Sequence, residues 1–217
     1  MKKNAGITPY IAFFAVLVTM LISCTRSAPE ITYGYLQLVL YQGHDKPIEH
    51  FSLFIMCEDE DGIDNLEELY LYHDREQLRW KITSDEWIHY NNDGKDWIGT
   101  RSIAVTEGEL PRGMYRAVLV NKGGESTERN FTYDGNVSFT FPEIEISGGV
   151  YIIKSQWPVN RLVCYDINGN FQSTITLSSL SGNISVLGMP SGVRTVALWA
   201  EDESNFCSAF TNVVPVN

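Results

Sequence analysis

The chain has 217 residues, 44% of them hydrophobic and 12% aromatic, with a formal net charge of −11 at pH 7. That apolar content is enough for packed cores and excludes a disordered chain. The acidity excludes nucleic acid and anionic lipid headgroups as electrostatic partners.

Lys2 and Lys3 precede an apolar run from Tyr10 to Ile22, which closes on Ser23 and Cys24. A charged start, an apolar centre and small residues before a break describe a secretory signal. The run is too short for a bilayer core that needs ~20 residues. Leu21-Ile22-Ser23-Cys24 resembles the lipobox of bacterial lipoproteins. The resemblance implies a signal peptide over 1–23, cleavage before Cys24, diacylglycerol on its sulfur and acylation of the new amino terminus. It also implies a membrane partner reached through lipid and a place in the cell envelope. Thr25 rather than aspartate follows Cys24, which by resemblance to enterobacterial sorting rules implies export to the outer membrane. No Lys/Arg cluster adjoins Cys24. Acyl chains contributing ~0.8 kcal/mol per buried methylene must therefore hold the protein alone. Residues 24–31 read as the lipidated cysteine and a short tether.

From Thr32 onward the chain reads as strands. Leu36, Leu38 and Leu40 alternate with Tyr35, Gln37, Val39 and Tyr41, as in a half-buried strand. Phe51, Leu53, Ile55 and Cys57 do the same, and Leu78–Ile82 follows with two cations facing water. Asn65–Tyr72 is the one stretch arguable as helix, and Tyr70 and Tyr72 count against it. Asn91-Asn92-Asp93-Gly94 is a hairpin-type turn between Trp87–Tyr90 and Trp97–Val105. Strands at roughly 8–12-residue spacing predict an all-β sandwich or barrel.

Leu110-Pro111-Arg112-Gly113-Met114-Tyr115 resembles the entry to strand F of fibronectin type III and related immunoglobulin-like domains. The resemblance implies that the Tyr115 hydroxyl bonds back to the backbone, a tyrosine corner. Met189-Pro190-Ser191-Gly192 repeats the entry. Leu110 and Met189, Pro111 and Pro190, Gly113 and Gly192, Leu119 and Leu198, and Phe131 and Phe210 all share one offset. The reading is therefore two tandem sandwiches, over 32–134 and 135–217, with Arg194 standing where the second copy would carry its tyrosine. Val137, Phe139 and Phe141 open the second copy as a strand. Asn168-Gly169 reads as the hairpin dipeptide that tolerates positive φ at both central positions.

Chemistry is sparse. Cys57, Cys164 and Cys207 remain once Cys24 is acylated, an odd number that leaves at least one thiol unpaired. A disulfide between Cys164 and Cys207 and a set of buried small hydrophobes are both compatible with the spacing. His44, His50, His73 and His89 form no zinc motif. No nucleophile elbow or phosphate loop appears. The expectation is a non-enzyme with no cofactor beyond the lipid. Asp59, Asp61 and Asp64 are the best oxygen ligands for calcium, against a solvated acidic turn. Trp87, His89, Tyr90 and Trp97 flank a polar turn tip and would suit a partner surface, with core packing as the competing reading. Trp80, Trp157 and Trp199 read as core. The resulting expectation resembles spirochaete and Bacteroidetes lipoproteins: a non-catalytic envelope protein that binds or positions a protein partner. The alternatives are a carbohydrate- or calcium-binding module and, last, an envelope hydrolase.

Overall fold

The structure is a computed structural model describing residues 27–135, 137 and 139–216; the signal segment and Cys24 lie outside the described residues. The fold is all-β. Alternating leucines and aromatics set β1 (Glu30–Tyr41) and β2 (Ile48–Glu58), which pair antiparallel. β6 (Lys95–Ile103) and β5 (Ile88–Asn92) extend that sheet. Asp93 and Gly94 join them with φ of 51° and 75°, the two left-handed residues a type I′ hairpin requires. A second sheet holds β3 (Leu66–His73), β4 (Leu78–Thr83), β7 (Gly113–Asn121) and β8 (Ser126–Tyr133) in the order β4-β3-β7-β8. Strand, not helix, thus occupies Leu66–His73.

The two sheets close on Phe51, Leu53, Ile55, Leu69, Leu71 and Leu119, each fully buried. Burial of each such side chain contributes about 1.5–3 kcal/mol. Tyr115 is wholly buried and its hydroxyl donates to the Pro111 carbonyl at 2.5 Å. Tyr115→Phe removes that bond from a buried corner. It is expected to lower the unfolding free energy by about 1–2 kcal/mol, read as a shifted urea midpoint at unchanged slope.

The second copy repeats the topology. β9 (Glu143–Ser147), β10 (Val150–Lys154) and β13 (Ser181–Asn183) form a small sheet ordered β13-β10-β9, matching β6-β2-β1. β11 (Val159–Tyr165), β12 (Phe171–Thr176), β14 (Thr195–Asp202) and β15 (Cys207–Phe210) are ordered β12-β11-β14-β15, matching β4-β3-β7-β8. A last short strand, β16 (Val214–Pro215), pairs with β14. Gly113 and Gly192 take φ of 124° and 99° at equivalent strand entries, which explains the recurring glycine.

The copies are fused. β15, the closing strand of the second, pairs in parallel with β1, the opening strand of the first, with Leu38 beside Cys207 and Tyr41 beside Phe210. The result is one nine-stranded sheet ordered β12-β11-β14-β15-β1-β2-β6-β5, with β16 beside β14. Leu38, Leu40, Cys207 and Ala209 face the core along this seam, so the first core runs beneath it.

Four details differ from the sequence reading. The tether is shorter, because Pro29 is buried, β1 starts at Glu30, and the Ser27 carbonyl accepts a 3.0 Å bond from Asn121. Val137, Phe139 and Phe141 form no strand; they pack on the first core, with the Phe139 ring 5.5 Å from Trp157. Only Gly169 is left-handed in its turn, because the Asp166 carboxylate takes the N–H groups of Asn168 and Asn170. The thiols of Cys57, Cys164 and Cys207 are free and buried, which settles the disulfide question in favour of small hydrophobes.

Candidate functional site: the open face of the fused sheet

One face of the nine-stranded sheet lies on the two smaller sheets. The other is open, and period two along each strand decides what it presents. Since Leu36, Leu38 and Leu40 point into the core, Tyr35, Gln37, Val39 and Tyr41 point outward. On β14, Val196, Leu198 and Ala200 are fully buried, so Trp199 and Glu201 share the open face. Trp199 is thus a half-buried surface residue, a correction to its reading as core.

These side chains line a groove of about 930 Å³ that crosses the seam. That volume is in the range of small-molecule and cofactor sites. Its walls come from both copies: Tyr33, Tyr35 and Tyr41 on one side, Tyr165, Phe171 and Phe206 on the other. Phe171, Phe206 and Tyr33 are 61%, 55% and 51% exposed, a large uncovered apolar area for one sheet face. Val39 and Val163 are the aliphatic members of the lining. Gln37, Ser52, Thr174 and Ser208 place uncharged polar groups between the rings.

At the β5–β6 end the rings pack on one another. Tyr90 and Trp97 are stacked 6.0 Å apart at 3°, Tyr33 meets Trp97 edge-on at 5.9 Å, and Tyr35 stacks on Phe54 at 5.8 Å. Gly99 permits this, since a Cβ there would lie 2.7 Å from the Phe54 ring. Burial, reinforced by Tyr90, pushes the Tyr35 hydroxyl up to about 12, while the Arg101 charge opposes the rise. Burial likewise raises Tyr41 and Tyr165.

The groove floor at the seam is polar and bonded. The Arg161 guanidinium sits 5.0 Å over the Trp199 ring and bonds the Glu201 carboxylate, which also accepts from Gln37 at 3.3 Å. Gln37 and Glu201 therefore tie the two copies together through side chains.

The residues singled out from sequence fall apart in space. Tyr90 and Trp97 are on the open face. Trp87 packs against the first core, and His89 pairs with Asp96 at 2.9 Å, on the other side of the strand. The four do not make one patch, because consecutive strand residues face opposite ways. Asp59 accepts from Asn65, the Asp61 N–H and Asn121. Burial opposes these bonds, yet together they hold its carboxyl below the usual range. Asp61 and Asp64 are exposed. Among the described residues no group of three or more His, Cys, Asp or Glu is arranged to hold a metal. His73 is buried, accepting from the Glu76 N–H and facing the Arg112 carbonyl at 3.3 Å. Burial and then the Asp96 charge push the Cys57 thiol up to about 12, the opposite of what a nucleophile needs.

Among the described residues no helix is long and apolar enough to cross a membrane. No family model and no curated protein sequence matches the chain. Among solved structures, Tp47, the 47-kilodalton lipoprotein of Treponema pallidum, aligns with 85% of this chain and 50% of its own, at 12% identity and a TM-score of 0.45. Dimeric latent PorU from Porphyromonas gingivalis aligns with 87% of this chain and 20% of its own, at 13% identity and a TM-score of 0.32. The chain spans half of the first and a fifth of the second.

Proposed function

We propose that this chain is a lipid-anchored, non-catalytic protein of the bacterial cell envelope that binds an oligosaccharide along the open face of its fused sheet. The observation that carries the reading is the groove across the seam, walled by rings from both copies. A pyranose presents an apolar C–H face and a rim of hydroxyls. Exposed rings with Thr174 and the half-buried Gln37 among them match both features.

The anchor is Cys24, from its lipobox, with Thr25 favouring the outer membrane. Because Ser27 is already tied to Asn121, only Cys24–Arg26 separate the lipid from the fold, a reach of at most ~10 Å. The pole carrying Asp59 and Asn121 therefore lies against the bilayer. Cys24→Ser is expected to move the protein from the detergent to the aqueous phase on phase separation with its melting temperature unchanged. Retention in the detergent phase would contradict the anchor.

A second reading, a protein partner, is favoured by a separate apolar patch. Val150 and Ile152 on β10 are 41% and 50% exposed on one face, with Leu180 beside them at 48%. The groove is tested by fluorescence titration of the detergent-solubilised protein with a panel of hexasaccharides. The double variant Tyr33→Ala/Phe171→Ala should bind about tenfold more weakly at unchanged melting temperature. Unchanged affinity in that variant would sink the groove as the site.

A further inference from the structure

The groove holds one cation that, among the described residues, has no carboxylate partner. Arg101 is exposed on β6 where the β2–β6 register slips between Phe51 and Leu53, a bulge that places two β6 residues opposite Ser52. Bulges re-aim side chains and recur beside functional sites. Here the bulge brings the guanidinium over the open face, 5.9 Å from the Phe54 ring. Its positive charge is felt by Tyr35 and Tyr41, on either side of Gln37 and Val39 along β1. Among the described residues no carboxylate pairs with Arg101. The other charges of the groove are spoken for: Glu201 bonds Arg161 and Gln37, and Glu203 lies 3.6 Å from Arg161. In a chain of net charge −11, an exposed arginine among aromatic rings with no carboxylate partner is an odd residue to leave without a ligand.

Building on the oligosaccharide reading above, we propose that Arg101 reads a carboxylate, so that the ligand is a glycan containing uronic acid residues. The rings would take the C–H faces of successive sugars while the guanidinium forks onto one carboxylate. Neutral sugars would keep the stacking and lose the charged contact.

The test is calorimetric titration of the full detergent-solubilised protein with hexagalacturonate, its fully methyl-esterified form and a neutral N-acetylglucosamine hexamer. Hexagalacturonate should bind about tenfold more tightly than the ester, and the difference should shrink as salt is raised. Arg101→Gln, an exposed change that leaves the melt unchanged, should abolish that preference. If the ester binds equally well, or Arg101→Gln keeps the preference, the assignment of Arg101 is overturned while the oligosaccharide reading stands. If none of the three hexamers binds, both are overturned.

Discussion

Glu49→Ala is expected to destabilise the protein by roughly 2–4 kcal/mol, among the largest effects of any single change. A buried ion pair broken on one side costs about 3–5 kcal/mol, discounted here for the water that reaches Arg112. Glu49 is 11% exposed at its side chain, and Arg112 32%. The two form a fork, with Nη2 to Oε1 at 2.7 Å and Nη1 to Oε2 at 3.0 Å. Glu49 also accepts from the Leu110 N–H, and Arg112 donates to the Leu110 and Gly135 carbonyls. One pair thus fastens β2, the loop that holds the tyrosine corner and the passage into the second copy. Its bond to Glu49 holds the Arg112 guanidinium above its usual range. Guanidinium-chloride melts would read the loss. An Arg112→Met/Glu49→Leu double variant should recover much of it, since the penalty lies in the orphaned charge. A Glu49→Ala change that leaves the denaturation midpoint where the parent has it would show that the pair is not structural.

Leu38→Ala should cost about 2–5 kcal/mol, the range for truncating a fully buried leucine. Leu38 is 0% exposed and lies beside Cys207 at the parallel seam. Its N–H donates to the Phe206 carbonyl, the first bond of that pairing. The truncation therefore opens space beneath the joint between the copies. Because the first core continues under β15, calorimetry should find a single transition shifted downward as a unit. Two transitions, with the second copy unmoved, would mean that the seam does not couple the sandwiches.

Period two made most of this fold legible in the sequence. Leu36, Leu38 and Leu40 announced both the strand and its buried face, and the constant offset from Leu110 to Met189 announced the second copy. Asp93-Gly94 announced its hairpin by backbone chemistry alone. The seam was not legible. Parallel pairing of β1 with β15 joins residues far apart in the chain, such as Leu38 and Cys207, and no local signal says which sheet edge meets which. The groove was hidden for the same reason, since half of it belongs to each copy. A usable signal did exist. Trp199 falls in phase with Glu201, not with Leu198 and Ala200, so alternation places it outside the core. Trp87 and Trp97 were grouped by nearness in sequence, although Trp87, in the bend before β5, packs on the first core while Trp97 joins the rings of the open face. Arg101 had no signal at all, because its placement depends on a bulge.

Hydrogen exchange on the full protein, with and without saturating hexagalacturonate, bears most directly on the central claim. The account predicts added protection in β1, β14 and β15 together, strands of both copies that border the groove. Protection confined to one sandwich, or to the loops at the Asp59–Asn121 pole, would contradict a binding face built across the seam.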